Sequence, residues 1–149
     1  MHRAPQLERS CTATFEEVRR VLIALDRFLD NLEDSTAPAD DLRIVAGEVL
    51  NNVAEHAYDS CAAGPVRFRC ILRPKGFLCR VEDQGRALGD MPEGETPDLS
   101  GPLPEGGFGW FLIHQLAQGV HYRRRGGRNQ LNFTIPRIAA EITGASKGS

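Results

Sequence analysis

Apolar residues recur along this chain in two rhythms, and the change from one to the other separates helices from strands. From Thr14 onward the rhythm is helical: Phe15, Val18, Leu22, Leu25, Leu29 and Leu32 share one stripe, which Val21 and Phe28 widen. Thr14 followed by Glu17 is a capping-box pattern that opens this helix, and the polar link 33–38 closes it. A second helix is predicted from around Pro38 to Asp40 up to about Tyr58, with Leu42, Val45, Ala46, Val49 and Val53 on a face that can pack against a sheet. At Val66 the period drops to two. Val66, Phe68, Cys70 and Leu72 alternate with Arg67, Arg69 and Arg73; after a turn at 74–76, Phe77, Cys79 and Val81 alternate with Leu78, Arg80 and Glu82. These are two antiparallel strands, and placing Leu72 opposite Phe77 sets Cys70 opposite Cys79 on the same face.

Residues 7–13 carry a weaker signal for a leading strand or extended arm. Residues 86–106 hold four prolines, four glycines and several carboxylates without periodicity, which reads as a long loop. A further helix starts behind the glycine cluster at 106–109. A closing hairpin, 120–124 with 130–135, turns at Arg125-Gly-Gly-Arg128 and points Leu131, Phe133 and Ile135 inward. Arg123-Arg124-Arg125 reads as a solvated strand end, and the stretch from Arg137 as a frayed tail. The expected architecture is an α+β sandwich, a mixed and mostly antiparallel sheet covered on one side by helices. One domain spans 1–136, with a short tail at 137–149.

Composition narrows the function. A net charge of −2 and a pI of about 6.1 give no global basic field for nucleic acid or an anionic membrane surface. No apolar run is long enough to span a bilayer, and the polar first residues lack a signal-peptide core, so a cytoplasmic location is expected. Cys11, Cys61, Cys70 and Cys79 form no C-x-x-C pair and read as small apolar residues.

Three constellations carry chemistry. On the second helix, steps of four align Glu48, Asn52 and His56 in one row, although a solvated polar face or a capping histidine has the same spacing. Asp83-Gln-Gly85 leaves a strand with a carboxylate able to accept a hydrogen bond from an exocyclic amine, beside a glycine that lets a ring approach the backbone. Gly107-Phe-Gly109 opens a helix whose free N–H groups and dipole suit a phosphate.

In this order, and separated by a loop of lid length, the three resemble the boxes of the GHKL-type ATP-binding fold (the HATPase or Bergerat fold) in the anti-sigma-factor serine kinases, the RsbW and SpoIIAB group. The resemblance runs from about Thr14 to Pro136. Glu48 to Tyr58 is similar to the family's N-box, Asp83-Gln-Gly85 to its first glycine box and Gly107-Phe108-Gly109 to its second. The resemblance implies ATP and Mg²⁺ as cofactors, with Asn52 coordinating the metal and Asp83 reading the adenine amino group. It also implies an ATP lid at 86–106, with Gly107, Phe108 and Gly109 at the phosphates, while His56 is carried as a further contact of the helix row. Glu48, one turn before Asn52, lies where a carboxylate can take the proton of an attacking serine hydroxyl, and the resemblance assigns it that role.

The function implied is an ATP-dependent serine/threonine protein kinase that modifies a STAS-type anti-sigma antagonist and sequesters a sigma factor or another regulator. Homodimers are common in the group. The chain departs from the pattern at Ala87, where D-x-G-x-G ends in glycine, at Trp110, where a smaller aliphatic is usual, and in the absence of lysine or arginine between Ala87 and Phe108. Those departures keep two alternatives open: a nucleotide-dependent binding module without phosphotransfer, and an ATPase that uses water as nucleophile.

Overall fold

The computed structural model describes residues 3–58, 62–87 and 107–137. Elements follow in the order β1 (Gln6–Thr12), α1 (Phe15–Asp30), α2 (Ala39–His56), β2 (Pro65–Arg73), β3 (Gly76–Asp83), α3 (Gly107–Leu116), β4 (Gln118–Arg125) and β5 (Arg128–Pro136). The strands form one sheet in the order β1-β2-β3-β5-β4.

The sheet was expected to be mixed, but among the described residues every strand pair is antiparallel. The reason lies in the crossover. The chain leaves β3, passes through α3 and enters β4, which runs the same way as β3 but does not touch it. β5 then turns back and fills the gap between them, converting a would-be parallel pair into two antiparallel ones. The β4–β5 turn requires Gly126 and Gly127, whose φ values of 60° and 75° match a two-residue hairpin turn with both central residues left-handed.

Register confirms the alternation pattern: Leu72 pairs with Phe77 and Cys70 with Cys79. Inward residues of the strands (Phe68, Cys70, Phe77, Cys79, Val81, Leu131, Phe133, Ile135) meet Val18, Val21, Leu25 and Leu29 of α1 and Leu42, Val45, Ala46, Val49 and Leu50 of α2 in one core. Each valine, leucine, isoleucine or phenylalanine among them contributes about 1.5–3 kcal/mol by leaving water. Phe15 departs from the expected stripe, since it stands 56% exposed at the first position of α1. Arg43 clamps the two helices, with Nε on Asp26 at 2.8 Å and Nη2 on Asp30 at 2.9 Å.

Only half of the capping box forms. Thr14 Oγ1 accepts from the Glu17 N–H at 3.1 Å, but the Thr14 N–H donates to Thr12 O at 2.8 Å, so Glu17 has no orphan donor to answer. Arg137 corrects the expectation of a tail frayed from its first residue. Its guanidinium donates to Pro74 O, Arg73 O, Asp34 Oδ2 and Thr36 Oγ1, and its N–H to Lys75 O. The end of β5 is thereby tied to the β2–β3 turn and the α1–α2 link. The rest of the expected tail, 138–149, lies outside the described residues. No helix among those described is long and apolar enough to cross a membrane.

Hydrogen bonds from Thr36 and Arg137 hold the Asp34 carboxyl down at about 2, below its ordinary 3.8. A carboxylate depressed in the folded state contributes stability above its unfolded value and loses it as pH falls toward the folded one. Asp34→Asn is therefore expected to lower the urea midpoint at neutral pH, with the deficit against wild type shrinking between about pH 4 and pH 2. Urea melts of the two proteins across that range check it; a pH-independent deficit would contradict the latch.

Candidate functional site

The helical layer and the ends of β3, β4 and β5 enclose an open cleft. Val49, Asn52, Val53, His56 and Ala57 line it from α2 and its end. Val81, Asp83, Arg86 and Ala87 line it from β3 and beyond, and Tyr122, Asn129 and Leu131 from β4 and β5. Apolar side chains share the lining with the Asn52 carboxamide and the Asp83 carboxylate. Asn52 and Asp83, some 30 residues apart in the chain, are brought to one cavity.

The walls meet at one close approach. A methyl group built on Gly85 would lie 2.1 Å from Ala57 O and 2.6 Å from its carbonyl carbon. Gly85 was read as the residue that lets a ring approach; its lack of a side chain is required first by the protein's own backbone. The Ala57 carbonyl also accepts the Arg86 N–H at 2.7 Å, so the end of α2 is hydrogen-bonded to the chain leaving β3. Tyr58 adds a second tie: its hydroxyl donates to Pro65 O at 2.6 Å and accepts the Gln84 N–H at 2.7 Å. Burial raises the Tyr58 phenol, partly opposed by that amide, and the nearby Asp83 charge raises it further.

Asp83 Oδ1 accepts two hydrogen bonds, from the Gly85 N–H at 2.8 Å and from Asn129 Nδ2 at 2.8 Å. Both end on the same oxygen, so Oδ2 retains acceptor capacity in a carboxylate that lines the cleft. Burial pushes the Asp83 carboxyl above the ordinary carboxylate value, against the pull of Asn129, the Gly85 amide and the Arg124 charge. Asn129 is the buried polar residue of the described core, 5% exposed. Its Oδ1 accepts from the Tyr122 hydroxyl and from Arg124 Nη1 at 2.8 Å, and its Nδ2 also donates to Arg86 O at 2.8 Å. Arg124 was read as part of a solvated strand end. It is half-buried and donates to Gly85 O at 2.9 Å, while Arg123 and Arg125 are exposed.

Of the expected site residues, Asn52, His56 and Asp83 line the cleft, with Gly85 behind its edge. His56 is exposed, with Nε2 3.7 Å from Glu55 Oε1. Glu48 is half-buried one turn earlier on α2 and is not among the residues lining the cleft. α3 starts at Gly107 as expected, so Gly107 and Gly109 belong to its first turn; the side chains of Phe108 and Trp110 and the expected lid beyond Ala87 lie outside the described residues. Sequence reading missed Asn129, Tyr122, Arg124, Tyr58 and Arg86. One signal was available: Asn129 keeps the inward parity of Leu131, Phe133 and Ile135, and a polar residue in an inward register needs a partner.

A fully protein-built metal cage is absent: no group of three or more His, Cys, Asp or Glu side chains among the described residues could hold an ion. A divalent cation held by one carboxamide oxygen and completed by phosphate and water oxygens does fit the Asn52 wall.

Comparison with known proteins agrees with this geometry. Residues 11–135 match the family described as histidine kinase-like ATPase domain. The chain is 30% identical over 134 residues to the serine-protein kinase RsbW of Halalkalibacterium halodurans, covering 85% of this chain and 81% of that protein. It is 24% identical over 139 residues to the anti-sigma F factor of Pasteuria penetrans, covering 91% and 92%. Among solved structures, the RsbU and RsbW domains of Rv1364c from Mycobacterium tuberculosis superpose with a TM-score of 0.62 at 18% identity, over 89% of this chain and 32% of that one. That likeness is one of fold.

The contact at Gly85 generates a direct expectation. Gly85→Ala must push the end of α2 away from β3, and overpacking of that kind costs on the order of 3 kcal/mol. Thermal melts should show a clear loss of stability; a variant as stable as wild type would mean that the Ala57–Gly85 approach is not maintained in solution.

Proposed function

This chain belongs to the histidine kinase-like ATPase family, in its anti-sigma-factor serine kinase group, and from that premise we propose that it is an ATP-dependent serine/threonine protein kinase acting as a partner switch. Its substrate is a serine or threonine of a STAS-type antagonist, and its second client is a sigma factor or another regulator. The observation that carries this reading is the shared cleft, which Asn52 on α2 and Asp83 at the end of β3 both line.

In this reading Asp83 accepts a hydrogen bond from the adenine amino group, and Val49, Val53, Val81 and Leu131 supply the apolar surface for the base. Asn52 offers its side-chain oxygen to Mg²⁺, which when bound supplies charge neutralisation on the phosphates. The free N–H groups of the first turn of α3 suit the phosphate oxygens. Glu48 accepts the proton of the attacking hydroxyl as the new O–P bond forms; the bond from the γ-phosphorus to the bridging oxygen breaks, and ADP leaves with the electron pair.

A second reading has its own observation. Ala87, where the family pattern has glycine, lines the cleft, and the stretch between Ala87 and Phe108 carries no lysine or arginine for the γ-phosphate. A nucleotide-dependent binding module without transfer follows from that, and incubation with γ-labelled ATP and a STAS partner separates the cases. Label on the partner supports the kinase, label released as free phosphate an ATPase, and intact ATP the binding module.

Two variants sharpen the assignment. Glu48→Gln keeps size and hydrogen bonding but removes basicity, so nucleotide affinity should persist while transfer slows by roughly 10²–10⁴-fold. Equal transfer rates in Glu48→Gln and wild type would remove Glu48 from the mechanism. Asp83→Asn replaces a pure acceptor with a mixed group and should weaken ATP binding by about tenfold or more, measured by calorimetry. Unchanged affinity would remove Asp83 from base recognition.

A further inference from the structure

Asn129 is an amide whose orientation is dictated by its neighbours. Two donors, the Tyr122 hydroxyl and Arg124 Nη1, converge on Oδ1. Three acceptors surround Nδ2: Asp83 Oδ1 at 2.8 Å, Arg86 O at 2.8 Å and Gly85 O at 3.3 Å. A guanidinium cannot accept and a carbonyl cannot donate, so the opposite flip would oppose like groups on both sides. The NH₂ group is therefore fixed toward Asp83.

This has a consequence for the carboxylate. Nδ2 can only donate, so Asp83 Oδ1 can only accept. The Gly85 N–H enforces the same at the same oxygen. Both fixed donors are spent on Oδ1, and Arg124, bonded to the amide and to Gly85 O, places a permanent positive charge behind the pair. Those donors and the guanidinium charge favour the ionised carboxylate, whose Oδ2 then carries no proton and is left to accept in a residue that lines the cleft. A carboxyl in this position without those supports could rotate, or carry a proton and donate it.

We propose that Asn129, oriented by Tyr122 and Arg124, is a positioning residue that fixes Asp83 as an acceptor and thereby sets the site's preference for a 6-amino over a 6-oxo purine nucleotide. The proposal rests on the reading of the cleft as a nucleotide site but adds a selectivity role to residues of β4 and β5 outside the three sequence boxes. An exocyclic amine donates to Oδ2, whereas a 6-oxo group sets two acceptors face to face. One charge-assisted hydrogen bond separates the two bases by about ten- to a hundredfold in affinity. A purely structural Asn129 would act on both nucleotides alike, because they differ only at the base edge.

Calorimetric titration of the full chain with ATP and with inosine triphosphate, each with Mg²⁺, tests this. Wild type should prefer ATP by about tenfold or more. Asn129→Leu, close in shape but unable to donate, should bring the two dissociation constants within about threefold of each other. If that variant fails to fold by circular dichroism, the Arg124 pair decides. Arg124→Gln, uncharged and able to present either a donor or an acceptor, should lose most of the preference, and Arg124→Lys should retain it. Preserved discrimination in folded Asn129→Leu or in Arg124→Gln overturns the proposal while leaving the nucleotide reading intact. Equal binding of both nucleotides by wild type overturns it as well. Wild type binding neither nucleotide overturns the nucleotide reading, and this proposal with it.

Discussion

The carbonyl of Ala57 lies so close to Gly85 that no side chain fits between them, and the candidate site depends on that contact. It fixes where the end of α2 meets the end of β3. Asn52, a little over one turn before Ala57, and Asp83, two residues before Gly85, consequently line one cleft. The apolar faces of α2 and the sheet hold the helix to the strands in general, but they do not choose the register of one end against the other. The hydrogen bond from the Arg86 N–H to Ala57 O and the double tie through the Tyr58 hydroxyl make that choice. Strand, helix and glycine box are thus coupled at a point where a displacement of a few tenths of an ångström would alter the cleft.

Behind the contact sits a small polar network in an otherwise apolar core. Burial of Asp83 opposes its charge, and the structure answers with a backbone amide, a carboxamide and a guanidinium. An unsatisfied buried polar group costs about 1–3 kcal/mol, so a half-complete network would be worse than none. Completion also has a functional side. Asn129 and Arg124 bond to the carbonyls of Gly85 and Arg86, the residues through which the chain leaves β3. The groups bonded to the Asp83–Asn129 pair thus also hold the chain where it leaves β3.

Much of the fold was legible because its signals are local and repeated. Alternation from Val66 to Val81 fixed which strand faces turn inward, and the Leu72–Phe77 pairing fixed register. Thr14 marked the start of α1. The strand order was less accessible: nothing local distinguishes β4 beside β3 from β4 with β5 inserted between them. At the cleft, motif spacing singled out Asn52, Asp83 and Gly85, whereas Arg124 was misread because arginines in a run usually signal solvent. Its partners, Gly85 O and Asn129 Oδ1, lie 39 and 5 residues away, and only the folded sheet brings them together. Arg137 escaped for the same reason, since its partners lie on the α1–α2 link and the β2–β3 turn.

The decisive measurement is a calorimetric titration of ATP into the intact chain, once with excess Mg²⁺ and once with the metal chelated, repeated for Asn52→Ala. One saturable site is expected, tighter with Mg²⁺ than without it, and the Mg²⁺-dependent gain should be largely lost in Asn52→Ala. The absence of saturable ATP binding by wild type under both conditions would contradict the assignment of this cleft as a nucleotide site.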